Sequence, residues 1–199
     1  MEKAMKQTTE AVVAGARAPA LSGQILRVAA GIAILTLSAR VQVPFWPVPM
    51  TLQVAAVMAL AALYGMRLGT ATLAGYLAVG ALGLPVFAGT PEKGLGLAYM
   101  LGGTGGYLVG FLVASALVGF AADRLHRLAL WPAMLLGLAV IYALGLAWLA
   151  QFVPADKLLA YGMTPFVAGD LVKVTLAALL VTKLPQGWAE RLRGGARHG

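Results

Sequence analysis

The chain has 199 residues, of which 60% are hydrophobic and only 11% charged, and a net charge of +8. A soluble domain carries about 25% charged residues, so a mean hydropathy of +0.84 excludes an ordinary soluble fold and indicates an integral membrane protein. At about 20 residues per span the length accommodates six helices and no separate soluble domain. The absence of cysteine excludes disulfides and thiolate metal sites.

Residues 1–20 read as a polar cytoplasmic segment, 21–184 as a six-helix transmembrane substrate-binding domain, and 185–199 as a basic cytoplasmic tail without fixed structure. The first span is expected over Ser22–Ala39. Its Ala29 and Ala33 form a small-xxx-small spacing, which lets another helix approach closely where packing rather than hydrophobicity drives association. Between Arg40 and Pro49, Pro44, Pro47 and Pro49 exclude helix and force an extended, rigid loop carrying Phe45 and Trp46. Such a loop suits a cover over a site as well as an interfacial aromatic anchor.

The second span starts near Met50 and carries Gln53 one turn inside. Gly65-Met66-Arg67-Leu68-Gly69 predicts a tight turn into a third span ending near Leu84, thinned by Gly75 and Gly80 for close helix contact. The stretch from Pro85 to Gly106 holds Phe87, Lys93 and a glycine-rich run, Gly102-Gly103-Thr104-Gly105-Gly106, which opens a fourth span at Tyr107. A glycine loop feeding a helix start offers free N–H groups and a positive dipole end, suited to a carboxylate. No Gly-Lys-Ser/Thr follows, so it is not a P-loop. A fifth span is expected over Trp131–Phe152, with Pro132 tolerated in its first turn. His126 and His198 stand in basic surroundings without carboxylate neighbours.

The sixth span, from Thr164 to Thr182, contains Asp170 and Lys173. A charge in hydrocarbon costs roughly 2.5–3.5 kcal/mol even on the lenient insertion scale. Three residues apart on a helix, the two lie on one face as neighbours, and as intramembrane ionisable groups they are the first candidates for a binding site.

The cations set the orientation. Lys3, Lys6, Arg17, Arg27, Arg67, Arg124, Arg127, Lys183, Arg191, Arg193 and Arg197 fall on one face, and only Arg40, Lys93 and Lys157 on the other. The positive-inside rule places the first face, with both termini, in the cytoplasm, and accounts for the net charge without nucleic acid. The proline loop, the glycine loop and the start of the sixth span then share the outer face. There Asp170 offers acceptors, Lys173 donors, and Trp46, Phe45, Phe87, Tyr107 and Phe166 apolar walls, a complement for a small ligand with both N–H and C=O groups. No Walker A motif, second mid-membrane carboxylate or inverted repeat supplies an energy source, so the chain, with a binding site and no visible engine, reads as a subunit. A self-sufficient proton-coupled secondary carrier of such a ligand is the alternative. An intramembrane enzyme would need a nucleophile–base pair or a metal cluster, and no span holds His, Cys or paired carboxylates; no enzyme activity, metal or cofactor is expected.

Pro47-Val48-Pro49-Met50-Thr51-Leu52-Gln53, Gly83-Leu84-Pro85-Val86-Phe87-Ala88-Gly89, Gly103-Thr104-Gly105-Gly106-Tyr107 and Pro165-Phe166-x-x-Gly169-Asp170-x-x-Lys173 together resemble the BioY family, the biotin-binding S components of energy-coupling-factor (ECF) transporters. The resemblance covers Gln24 to Lys183. It implies a six-helix S-component fold in the cytoplasmic membrane of a prokaryote that captures biotin from outside. A transmembrane coupling (T) subunit and ABC-type ATPases would then serve as partners, and only those partners would use ATP. It further implies that Asp170 and Lys173 bond the ureido ring, that the glycine loop lies near the valerate carboxylate, and that Ala29 and Ala33 dock on the coupling subunit. Two departures stand out. Gly102-Gly103-Thr104 replaces the family's Gly-Pro-Thr/Ser, which should loosen that turn, and Leu108 stands where an arginine would pair with a carboxylate. Lys93, Thr104 and the N–H groups of Gly105 and Gly106 are left as candidates for that contact.

Overall fold

The computed structural model describes residues 2–43, 48 and 50–192. It is helical apart from one short hairpin. In chain order, α1 (Glu2–Arg40) leads into β1 (Gln42–Val43) and β2 (Met50–Thr51), which pair antiparallel with Gln42 opposite Thr51. The segment Gln53–Ala81 supplies two helices, because Gly65 has φ 76° and ψ 179°. In a straight helix Gln53 and Tyr76 would lie about 35 Å apart, yet their side chains meet at 2.8 Å. The chain therefore folds back at Gly65 into α2 (53–64) and α3 (66–81). There follow α4 (Gly96–Met100), α5 (Gly105–Arg124), α6 (Leu130–Leu149), α7 (Leu158–Gly162), α8 (Thr164–Lys183) and α9 (Gln186–Leu192). Among the described residues five helical segments are long and apolar enough to cross a membrane, and the reversal at Gly65 makes six crossings of them.

At the cytoplasmic end the bundle closes by backbone approach. Asp123 of α5 accepts from the Met66 N–H at 2.9 Å and caps the start of α3. Its carboxylate occupies the space where a Cβ on Gly65 would stand, and the left-handed backbone there also demands glycine. A Cβ on Gly119 would lie 2.6 Å from the Met66 Cα, so α5 and the α2–α3 turn touch main chain to main chain. Arg127 ties the same end to α8, donating to the carbonyls of Thr182 and Leu184.

The outer end is irregular backbone held by hydrogen bonds to its carbonyls. Arg40, at the last turn of α1, donates through Nη1 to the Thr90 carbonyl at 2.6 Å and through Nη2 to that of Pro85. The Leu52 N–H returns to the Val41 carbonyl at 3.0 Å. Gly75 lets α1 approach α3, as its sequence position suggests, but Gly80 serves a different purpose: the ring of Phe87 lies in the space its side chain would take.

Two expectations change. The turn at Gly102-Gly103-Thr104 is not loose, because the Gly102 carbonyl accepts from the Gly105 N–H at 3.0 Å and from the Trp148 indole at 2.9 Å. The tail is not wholly without structure: Pro185 starts the short helix α9, whose Ala189 is buried.

Candidate functional site

Asp170 is 5% exposed, and both of its oxygens are engaged. Oδ1 accepts from the Lys173 ammonium at 2.8 Å and Oδ2 from the Tyr142 hydroxyl at 2.7 Å. The first bond is local, since residues three apart on α8 are neighbours. The second comes from α6, which lies against α8 and brings a phenol out of an otherwise apolar run. Bonds to a charged acceptor are short and strong, and each carboxylate oxygen keeps a further lone pair for a ligand.

Asp170 opens onto a cavity beneath the outer loops, with about 570 Å³ of unfilled space including its mouth. Gln53 and Val54 of α2, Tyr107, Leu108 and Phe111 of α5, Ile141 and Tyr142 of α6, and Phe166 of α8 form its walls. Val48, Met50 and Thr51 of the hairpin, with Ala88, Tyr99 and Thr104 of the long outer loop, complete the lining. An apolar cavity with a few convergent polar groups is the usual form of a small-molecule site.

Lys173 sits behind the cavity rather than on its surface. Its ammonium donates to the Thr51 carbonyl at 2.8 Å as well as to Asp170. Its accessible side lines a separate apolar groove beside Leu37, Leu52 and Leu176. The lysine thus latches the hairpin to α8 while neutralising the acid, and one of its three donors stays uncommitted.

The other sequence candidates separate into three groups. Gln53, Thr104 and Tyr107 join Asp170 on the cavity wall. Phe87 stands one layer back, 1% exposed, stacked on Tyr99 at 4.9 Å and edge-on to Tyr76 at 5.4 Å. Gly105 and Gly106 are not part of the cavity lining. The Gly105 N–H is spent on Gly102, and both residues are pressed against Trp148 and α6, where a Cβ would collide. Lys93 is exposed on the loop, its stem against Gly89 and away from the cavity lining. Phe45 and Trp46 lie outside the described residues. Ala29 and Ala33 are exposed on α1 beside Ile25, Leu26 and Leu37, an apolar face that no other helix covers among the described residues.

Sequence reading missed Tyr76 and Tyr99 and took Tyr107 only as a wall. Tyr76, Tyr99 and Tyr107 donate to the carbonyls of Val86, Ala88 and Gly162 at 2.9, 2.8 and 2.8 Å, suspending the outer loops above the cavity. Burial pushes the Tyr99 hydroxyl above its ordinary pKa, so it remains a donor throughout the physiological range. The available signal was simple: a phenol inside an apolar helix needs a partner for its O–H.

Comparison with known proteins agrees with this architecture. A sequence model of the BioY family matches residues 5–190. A probable biotin transporter BioY of Pyrococcus horikoshii is 37% identical over 86% of this chain and 96% of its own length. The biotin transporter BioY of Thermotoga maritima is 38% identical over 84% and 99%. The 2.1 Å crystal structure of the S-component for biotin from an ECF-type ABC transporter superposes with a TM-score of 0.70, at 26% identity, over 87% of this chain and 92% of that one. With its six crossings and its outward-facing cavity, the chain is a multi-pass prokaryotic membrane protein and belongs to the BioY family.

Proposed function

We propose that this chain captures biotin from the outer face of the membrane and delivers it for uptake as the S component of an ATP-driven ECF transporter. The observation that carries the reading is the buried Asp170 carboxylate, oriented by Tyr142 and Lys173 at the wall of an apolar cavity. A cyclic urea has two N–H donors that need acceptors and one carbonyl that needs a donor, and its fused thioether ring needs an apolar wall. Asp170 and Gln53 supply acceptors, Lys173 neutralises and orients Asp170 from behind the cavity, and Phe111, Ile141 and Phe166 supply the wall. For the valerate carboxylate, Thr104 is the candidate that lines the cavity.

The chain is a carrier subunit, not an enzyme, and needs no cofactor of its own; a coupling subunit and its ATPases supply the energy. The uncovered face of α1 around Ala29 and Ala33 supports docking of such a subunit, since small residues admit close helix approach. The test is equilibrium binding of labelled biotin to the purified chain, with lipoate and thiamine as competitors. Saturable one-site binding displaced by biotin and by neither competitor is expected. No saturable binding, or equal displacement by lipoate, would overturn the reading.

A further inference from the structure

The amide of Gln53 has two orientations, and a chain of bonds behind the cavity selects one. The Tyr76 hydroxyl, in a residue with no exposed surface, lies 2.9 Å from the Val86 carbonyl and 2.8 Å from Gln53 Nε2. A carbonyl can only accept, so the single phenolic proton goes to Val86, and the phenol oxygen must in turn accept from Gln53. Turned the other way, Gln53 would set its carbonyl against a hydroxyl with no proton left to give. The carbonyl Oε1 is therefore left for the cavity. Gln53 is 4% exposed and lines that cavity, and Oε1 has no hydrogen-bond partner among the described residues. Without Tyr76 nothing in this arrangement would distinguish the two ends of the amide.

We propose that Tyr76 is a positioning residue for specificity: by spending its proton on Val86 it makes Gln53 present only an acceptor, so that α2 and α8 each offer one acceptor, Gln53 Oε1 and the Asp170 carboxylate, to the two N–H groups of the ureido ring. The proposal rests on the biotin reading above and deepens it. It explains why the polar residue of α2 is a glutamine whose far side is tied to a tyrosine on α3, a helix that does not itself line the cavity. It also makes Gln53 selective, because a site built to receive an N–H rejects an analogue that offers a lone pair there.

The probes are biotin and its two cyclic carbamate analogues, in each of which one ureido N–H is replaced by a ring oxygen. The unaltered protein should bind both carbamates about tenfold or more weakly than biotin. In Tyr76→Phe the amide is free to turn and present Nε2. The penalty for one carbamate should then shrink to within about threefold, while the penalty for the other, which faces Asp170, persists. Gln53→Met fills similar volume without a hydrogen-bonding carbonyl and should relieve the same carbamate. A Tyr76→Phe protein that weakens biotin and both carbamates by one common factor would make Tyr76 merely structural and overturn the proposal. So would a Gln53→Met protein that leaves both penalties intact, and this arm stands even where Tyr76→Phe does not fold. Failure of the unaltered chain to bind biotin would strike the functional reading instead, before any carbamate is compared.

Discussion

The two ends of this bundle use the same two fastenings in different proportion, for Arg127 reaches carbonyls at the cytoplasmic end and Gly106 packs on α6 at the outer one. At the cytoplasmic end helices meet through glycine: Gly119 against the Gly65–Met66 backbone, Gly69 against Ala61, Gly31 against Thr72. At the outer end long polar side chains reach for backbone carbonyls: Arg40 to Thr90 and Pro85, Tyr107 to Gly162, Trp148 to Gly102, Lys173 to Thr51. In lipid there is no hydrophobic gain between helices, so close backbone packing is what fastens a span, and it leaves no room for a ligand. Side-chain hydrogen bonds hold irregular backbone at membrane depth and can be exchanged for those of a ligand. The cytoplasmic end is thus fixed by packing, and the outer end by bonds that can be exchanged.

Substitutions that separate affinity from stability probe this contrast. The largest effect is expected at Lys173→Met, which leaves the buried Asp170 without its cation and frees the hairpin carbonyl. Breaking such a pair costs about 3–5 kcal/mol, read as a lowered unfolding midpoint together with lost biotin binding. Adding Asp170→Leu should recover much of the midpoint and none of the binding, because an apolar pair of similar volume carries no uncompensated charge. Gly119→Val comes next. Its branched side chain meets backbone 2.6–2.7 Å away that cannot yield, so stability should fall by about 3 kcal/mol. In thermal unfolding the midpoint drops, while the biotin affinity of the protein that remains folded stays within about threefold. An equal loss of affinity there would show that the two ends are not separable. The smallest effect is Tyr107→Phe, which removes one neutral bond to the Gly162 carbonyl. It should cost about 1 kcal/mol, seen as faster exchange of the amides around Gly162 rather than as global unfolding.

Much of the architecture was legible along the chain. The reversal at Gly65 followed from a glycine-bounded turn, and the polar pair on α8 from two ionisable residues at helical spacing in an apolar run. The cation asymmetry assigned an outer face, and the cavity, the hairpin and the long loop do share one end. The glycine run before α5 was harder, because glycine serves equally well to free an N–H and to admit a neighbouring helix. The sequence is the same in both cases; the approach of α6 through Trp148 decided for packing. Tyr142, Tyr76 and Tyr99 escaped notice because a tyrosine in an apolar helix looks like any aromatic until its hydroxyl finds a partner.

Composition, spacing and charge by themselves therefore determined the solvent this chain folds in, its six crossings, its orientation and the place of its polar pair. These depend on local hydropathy, helical period and the counting of cations, all properties of neighbouring residues. Only the tertiary structure decided which atoms remain free to bind. Lys173 spends one donor on Thr51, Gln53 turns its amide toward Tyr76, and Asp170 accepts from Tyr142, partners 122, 23 and 28 positions away. A hydrogen bond across that separation depends on where helices meet, and no local pattern encodes it.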